Sequence, residues 1–217
     1  MYVTEHFALS AEQSLAALEG VVAGDLITTG PAGPEATFVP MLLEPGGEFG
    51  VLTGHLSRIN GQWRNPGRAL FIVHGPGDYI DSGWLSRPGA PSVPTWNYVT
   101  VHALGDLVVH PEPEWCADAV RRLSAARGDH NVDQLTSTEL DGLLRSIVGV
   151  ELRITSLVGK AKMSQNKAPE VIEAVIEGLE NSGSSATAGW MRDNSLPRAL
   201  AKADLLAGLR RRAVEAD

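Results

Sequence analysis

Residues 150–158 read Val-Glu-Leu-Arg-Ile-Thr-Ser-Leu-Val, the clearest hydrophobic alternation in the chain. Successive side chains of a β-strand point to opposite faces, so an alternating segment predicts a strand with one face toward a core. The predicted core-facing row consists of Val150, Leu152, Ile154 and Val158. Charged and polar residues occupy the opposite row, as expected for a half-buried antiparallel strand.

Further strands are predicted on the N-terminal side of this segment. They cover residues 25–29, 36–43, 49–56, 70–74 and 96–110. In the last of these, Val99, Val101 and Ala103 share one face. About six short strands at hairpin spacing, with helices around them, predict a mainly β, α+β fold built on a closed antiparallel barrel. A doubly wound sheet is disfavoured, because strands and helices do not alternate and no glycine-rich phosphate loop joins them.

Helices are predicted between and after the strands. Ser10 and Gln13 form the pattern of a capping box, which predicts a helix from there to about Val22. Other helices are predicted at 113–126, 137–147, 169–179 and 196–213, and residues 75–95 are predicted to form a long structured loop. Serine, glycine and alanine dominate residues 181–188, a composition typical of a linker. We therefore predict a main domain over 1–180, a linker over 181–195 and a helical extension over 196–217.

The composition is that of an ordinary globular protein. The 217 residues are 43% hydrophobic and 20% charged, with a formal net charge of -8. An acidic chain is repelled by nucleic-acid phosphates, which lowers the expectation of DNA binding. Cys116 is the single cysteine, which excludes an intramolecular disulfide and a multi-cysteine metal site. The sequence contains no apolar run of membrane-spanning length and no secretory signal pattern, so a cytoplasmic protein is expected.

A first polar cluster, Gly54 to Trp63, follows a predicted strand. It contains His55, Arg58 and Asn60, and a guanidinium group suits a phosphate because it can bind two oxygens at once. On residue types alone, a solvated loop with one packed tryptophan is the more economical interpretation.

A second cluster lies in the segment Val93-Pro94-Thr95-Trp96-Asn97-Tyr98-Val99-Thr100-Val101-His102. Trp96, Tyr98, Thr100 and His102 fall on one strand face. Such a face could hold a flat heteroaromatic ring or pack against a partner subunit. A half-buried strand with an amphipathic outer face explains the pattern equally well.

A third cluster is Gly159-Lys160-Ala161-Lys162-Met163-Ser164-Gln165-Asn166. If the strand continues beyond Val158, Lys160 and Lys162 extend the row of Leu152 and Ile154. Two lysines at the end of a core-facing row are unfavourable unless an anion meets them. Ser164 and Asn166 would add neutral donors, a mixture that suits a phosphate. Alternatively, a bulge at Gly159 turns both lysines to solvent.

Other chemistry has little support in the sequence. Gly75-Pro76-Gly77-Asp78 is predicted to be a plain turn, because these residues favour turns by themselves. The histidines have no spacing that suggests a metal site, so no metal is predicted. No carboxylate pair or Ser/His/Asp arrangement stands out, and no catalytic residue is assigned.

Several motifs in the same order closely resemble the PaiB family, described as FMN-binding negative transcriptional regulators. The matching pieces are Gly54-His55-Leu56 with Arg58 and Asn60, Gln62-Trp63, Gly75-Pro76 with Tyr79-Ile80, Val93-Pro94-Thr95-Trp96-Asn97-Tyr98 with Gly105, and Gly159-Lys160 with Lys162 and Ser164-Gln165-Asn166. The resemblance covers residues 1 to about 180. The chain departs from the family pattern at Asp81 to Leu85 and at Ser57, Ile59 and Gly61.

The resemblance implies an FMN-binding split barrel, a homodimer, and FMN held at the subunit interface. Carried over onto this chain, it implies cofactor contacts from His55, Arg58, Asn60, Trp96, Asn97, Lys160, Lys162 and Ser164. The function expected is that of a flavin-dependent oxidoreductase acting on a small-molecule substrate. The alternatives are a DNA-binding regulator, as the family description states, or a flavin- or haem-binding module without turnover. Apart from Arg210-Arg211-Arg212 the sequence offers no dense basic run for DNA.

Overall fold

A computed structural model describes residues 1–87 and 89–215. It contains six strands: β1 (Val21–Gly30), β2 (Gly33–Glu44), β3 (Val51–Ser57), β4 (Gly67–Ile80), β5 (Thr95–His110) and β6 (Ile147–Lys162). The seven α-helices are α1 (Ala11–Ala16), α2 (Ser82–Leu85), α3 (Pro113–Ala125), α4 (Ser137–Leu144), α5 (Pro169–Asn181), α6 (Ser185–Trp190) and α7 (Leu196–Glu215). A π-helical turn, Met191–Ser195, lies between α6 and α7.

The strands close into a barrel in the order β1-β2-β3-β6-β5-β4. The β1–β2, β2–β3, β3–β6 and β1–β4 pairs are antiparallel. The prediction of a mainly β, α+β fold with an antiparallel barrel is therefore confirmed.

The chain divides into two compact units, and β4, β5 and β6 contribute residues to both. The first unit contains Met1, Leu9–Val73 and Val101–Gly159. Its core includes Leu26, Phe71, Val101 and Leu152, each no more than 1% exposed. Burying one such side chain contributes about 1.5–3 kcal/mol. The predicted inward rows are confirmed for Val99, Val101 and Ala103 and for Val150, Leu152 and Ile154, whereas Val158 is only half-buried.

The second unit contains Tyr2–Ala8, His74–Thr100 and Lys160–Asp217. Helix α5 buries its apolar face. The buried residues of that face include Val171, Ile172, Val175, Ile176 and Leu179. The ring of Trp84, from α2, lies over Gly178, where a Cβ atom would come within 2.3 Å of it. Asp78 accepts hydrogen bonds from Ser184 and Thr187, which ties the start of α6 to β4.

Three sequence predictions of secondary structure were wrong. The capping box of Ser10 and Gln13 is present, but α1 ends at Ala16 because Gly20 adopts a φ of 71° and Val21 enters β1. Residues 75–80 continue β4 instead of forming a turn, since Gly75 and Gly77 allow close contact with β5. The segment 185–195 is helical although its composition is typical of a linker.

Strand β6 runs without interruption to Lys162, which agrees with the interpretation that the strand continues beyond Val158 and not with a bulge at Gly159. Its buried row changes partway along. Val148, Val150, Leu152 and Ile154 are buried in the first part, whereas Gly159, Ala161 and Met163 are buried at the end. Lys160 and Lys162 consequently lie on the half-buried side at the end of the strand.

Candidate cofactor site

The end of β6 carries a cluster of lysines in the second unit. The Nζ atom of Lys162 donates to the Thr95 hydroxyl and, at 2.8 Å, to the main-chain oxygen of Trp96. Lys160 donates to the main-chain oxygen of Tyr2 at 3.2 Å, and its Nζ lies 5.5 Å from the centre of the Tyr98 ring. An ammonium group has three N–H donors, so Lys162 keeps one for a ligand.

Electrostatics at Lys162 favour the arrival of an anion. Burial lowers the pKa of Lys162 below the usual lysine value, the Tyr98 hydroxyl opposes this effect, and the positive charges of Lys160 and Lys167 lower the pKa further. A phosphate near Lys162 would relieve the repulsion among the three cations.

The chain turns sharply directly after the lysines. Ser164 adopts a φ of 60°, a left-handed conformation that costs a non-glycine residue free energy. The side chain of Gln165 holds this turn, because its Oε1 accepts from the Met163 N–H at 2.7 Å and its Nε2 donates to the Ala161 oxygen at 2.6 Å. The N–H of Lys167 donates to the Ser164 oxygen at 2.9 Å. The turn therefore places Ser164 and Lys167 next to the end of the strand.

A buried polar pair joins this turn to β5. Asn97 is 1% exposed and Ser164 is 5% exposed. The Asn97 Nδ2 donates to the Ser164 hydroxyl at 3.1 Å and to the sulfur of Met191 at 3.4 Å. Buried polar groups are costly without partners, so the pair fixes both side chains in one arrangement.

A pocket of about 300 Å³ opens at these residues. Its lining consists of Phe7, Leu85, Ser92, Val93, Thr95, Asn97, Lys162, Ser164, Asn166 and Lys167. Within the described residues this lining contains two lysines and five neutral polar residues, and it contains no carboxylate. Such a set of donors fits the phosphate of FMN, which needs cations together with neutral hydrogen-bond donors.

Two aromatic residues of the same unit are unusually exposed. Trp96 is 54% exposed and Tyr79 is 52% exposed, and their rings meet edge to face with centroids 6.3 Å apart. Large exposed aromatic side chains commonly mark a surface that contacts a ligand or a partner. The main-chain oxygen of Trp96 binds Lys162, so this surface adjoins the pocket.

The other three predicted site residues belong to the first unit. Arg58 donates from Nε to the Arg145 oxygen at 3.0 Å and from an Nη to the Ile147 oxygen at 2.8 Å. Asn60 caps the 3-10 turn Gly61–Arg64 and donates to the Thr37 hydroxyl at 2.9 Å. Among the described residues the Nδ1 atom of His55 has no hydrogen-bond partner, and burial lowers the pKa of this imidazole.

Of the predicted set, the structure brings Asn97, Lys162 and Ser164 together around the pocket, with Trp96 and Lys160 adjacent. Sequence reasoning assigned no site role to the pocket residues Phe7, Leu85 and Lys167, or to Met191, which contacts Asn97. The one available signal was a third lysine directly after the Lys160-to-Asn166 motif. The others come from distant segments whose meeting no local pattern shows.

Comparisons with known proteins identify the family and the fold. A family model described as "Putative FMN-binding domain" matches residues 1–156. The chain is 30% identical over 189 residues to the Protease synthase and sporulation protein PAI 2 of Bacillus subtilis, covering 83% of this chain and 90% of that protein. It is 26% identical over 182 residues to an uncharacterized protein of Aspergillus fumigatus, covering 64% of this chain and 70% of that protein.

Two solved structures resemble the fold. The flavocytochrome Anf3 from Azotobacter vinelandii gives a TM-score of 0.55 at 14% identity, covering 74% of this chain and 72% of its own. A FAD and heme binding protein from Mycobacterium smegmatis gives a TM-score of 0.51 at 17% identity, and the match covers 76% of this chain and 78% of that chain. At these identities the likeness is one of fold alone. The family match and the 30% identity show that the chain belongs to the PaiB family of FMN-binding split-barrel proteins, with FMN as its cofactor.

Proposed function

We propose that the FMN phosphate binds in the pocket at the end of β6. The observation that carries this proposal is a pocket whose described lining offers Lys162 and Lys167, with Ser164 and Asn166, and no acidic group. Lys160 adds charge nearby. Asn97 holds the Ser164 side chain in place: its Nδ2 donates to the Ser164 hydroxyl, and that hydroxyl donates to the Asn97 Oδ1 at 3.3 Å. The polar pair is therefore already oriented before the ligand arrives.

The flavin ring and a second subunit complete the proposed site. A volume of about 300 Å³ lies at the lower limit of ligand pockets, which suits the phosphate end better than the whole of FMN. The exposed Trp96 and Tyr79 offer an aromatic surface for the ring beside the pocket. A homodimer in which a second copy covers this surface would shield the ring from water. The single cysteine suits a reducing compartment, and we propose a cytoplasmic protein.

The proposal gives different roles to the three residues of the first unit, His55, Arg58 and Asn60. Asn60 uses both ends of its amide within the chain, so its part is to shape the loop. Arg58 uses two of its nitrogens on main-chain oxygens, and one nitrogen remains for a ligand. His55 has an unpartnered Nδ1 within the described part of the chain, and among the three it is the one with a ring nitrogen not used inside the first unit.

The activity that we propose is that of an FMN-dependent oxidoreductase acting on a small molecule. Bound FMN supplies electron or hydride transfer, and the protein supplies binding and orientation. A regulator that binds DNA is the competing function. The net charge of -8 weighs against it. No helix in the described ranges is long and apolar enough to cross a membrane.

A titration of the purified protein with FMN, followed by two assays, separates these functions. We expect saturable FMN binding, and oxidation of reduced nicotinamide that depends on added FMN. Duplex DNA should show no mobility shift at low salt, where cationic contacts are strongest. A salt-sensitive shift without any turnover would favour the regulator instead.

The pH dependence of binding should report on Lys162. Burial lowers the pKa of Lys162 below its usual 10.5, and a bound phosphate favours the charged amine. FMN affinity should therefore be fully retained below the lowered pKa and should fall as the pH rises through it, before 10.5 is reached. Riboflavin, which lacks the phosphate, serves as the control, because its affinity should not follow Lys162. A parallel decline for both ligands would contradict the assignment.

A further inference from the structure

The π-helical turn between α6 and α7 has two fully buried residues. Met191 and Ser195 are 0% exposed, whereas Arg192, Asp193 and Asn194 between them are exposed. π-Helical turns are rare and occur disproportionately at functional sites.

Met191 contacts a residue that lines the proposed FMN pocket, and Ser195 contacts the residue between two others that line it. The Met191 sulfur accepts a hydrogen bond from the Asn97 Nδ2 at 3.4 Å. The Ser195 hydroxyl donates to the main-chain oxygen of Met163 at 2.8 Å. Met163 is itself fully buried and stands between Lys162 and Ser164, two residues that line the pocket.

These contacts constrain the positions of the phosphate-binding groups. A thioether only accepts hydrogen bonds, so Met191 favours the orientation of Asn97 in which Nδ2 faces both the sulfur and Ser164. Ser195 restrains the main chain immediately before Ser164. The left-handed conformation of Ser164 persists only where surrounding contacts hold it, and the π-helical turn supplies one of them.

We propose that Met191 and Ser195 are positioning residues of the FMN pocket, which makes the segment after residue 190 part of the cofactor site. The proposal rests on the proposed binding of the FMN phosphate at Lys162, Ser164 and Lys167. Neither residue lines the pocket, so each acts through another side chain or main-chain group: Met191 through Asn97, and Ser195 through Met163.

The test compares FMN with riboflavin in the full-length protein. The variants are Met191→Leu, which keeps the volume and removes the acceptor, and Ser195→Ala, which removes the hydroxyl. Asn194→Ala is the control, because Asn194 lies in the same turn but is exposed, and among the described residues its side chain donates only to the Trp190 oxygen. Dissociation constants are measured from flavin fluorescence, and the unfolding temperature of each protein is recorded without ligand.

We expect the FMN dissociation constant to rise about 3- to 10-fold in Met191→Leu and in Ser195→Ala, the range for one hydrogen bond. Riboflavin binding should change much less, so the preference for FMN over riboflavin should fall. Asn194→Ala should keep the wild-type preference. If one of the two variants does not fold, the other still provides the test.

Two results would overturn this inference. An unchanged FMN dissociation constant in the folded variants would show that the turn does not position the pocket. An equal loss for FMN and riboflavin would show a general structural role with no specific link to the phosphate. A wild-type protein that does not prefer FMN over riboflavin would instead overturn the proposed phosphate site itself, and the inference with it.

Discussion

Replacement of Lys162 with methionine is expected to weaken FMN binding about 10- to 30-fold. A hydrogen bond to a charged group contributes about 1.5–3 kcal/mol, and the lower part of that range applies because Lys162 is only half-buried. Methionine keeps the length and apolar character of the side chain and removes the ammonium. Equilibrium titration with FMN measures the loss as an increase in the dissociation constant.

Two controls isolate the phosphate contact. Lys202→Met makes the same chemical change on the exposed surface of α7, and it should leave FMN affinity at the wild-type value. Riboflavin should bind wild type and Lys162→Met with similar affinities. Equal losses of affinity for both ligands would show that methionine had disturbed the pocket as a whole. An unchanged FMN affinity would show that the phosphate does not bind at Lys162.

The barrel strands could largely be predicted because their signal is local. The alternation around Leu152 and the row of Val99, Val101 and Ala103 each lie within one strand, and burial in the structure follows them. The same is true of the capping box at Ser10, whose partners are three residues apart. Patterns of this kind need no knowledge of which segments meet.

The extension of β4 could not be predicted, because local and tertiary preferences conflict there. Gly75-Pro76-Gly77-Asp78 favours a turn by itself. In the fold, a Cβ atom at Gly77 would come within 3.1 Å of the Asn97 main-chain oxygen, so glycine favours the close approach of β5. The residue that looks like a turn signal is therefore a packing requirement.

The candidate site was predicted in part for a related reason. Residue chemistry and the family resemblance identified Lys162, Ser164 and Asn97, because they belong to compact motifs. Their arrangement depends on contacts between distant positions: 67 residues separate Lys162 from Thr95, and 94 separate Asn97 from Met191. Residues 185–195 are helical, but the composition around them is typical of a linker. The local sequence therefore gave no indication that Met191 contributes to the site.

The second large effect is expected at Gly105, where alanine should destabilise the first unit by about 3 kcal/mol or more. A Cβ atom there would lie 2.2 Å from the main-chain oxygen of Arg153 and 3.1 Å from the Cα of Ile154. The obstacle is the backbone of β6, which cannot rotate away as a side chain could. Inserting a carbon into a well-packed interior costs about 1–3 kcal/mol, and the fixed neighbour places this site at the upper end.

Thermal and urea unfolding measure this effect, with Gly142→Ala as the matched control. For a chain of this size a loss of 3 kcal/mol lowers the unfolding temperature by roughly 6–12 °C. Gly142 lies in α4, and among the described residues an added Cβ would meet nothing within 4 Å beyond its own helix backbone and chain neighbours, so alanine there should stabilise the protein by up to about 1 kcal/mol. The same substitution is thus expected to lower the free energy of unfolding at Gly105 and to raise it at Gly142. The difference arises because Gly105 is required by the close contact of two strands, whereas Gly142 occupies an open helical position. Wild-type stability in Gly105→Ala would mean that β5 and β6 lie farther apart at Arg153 than the structure shows.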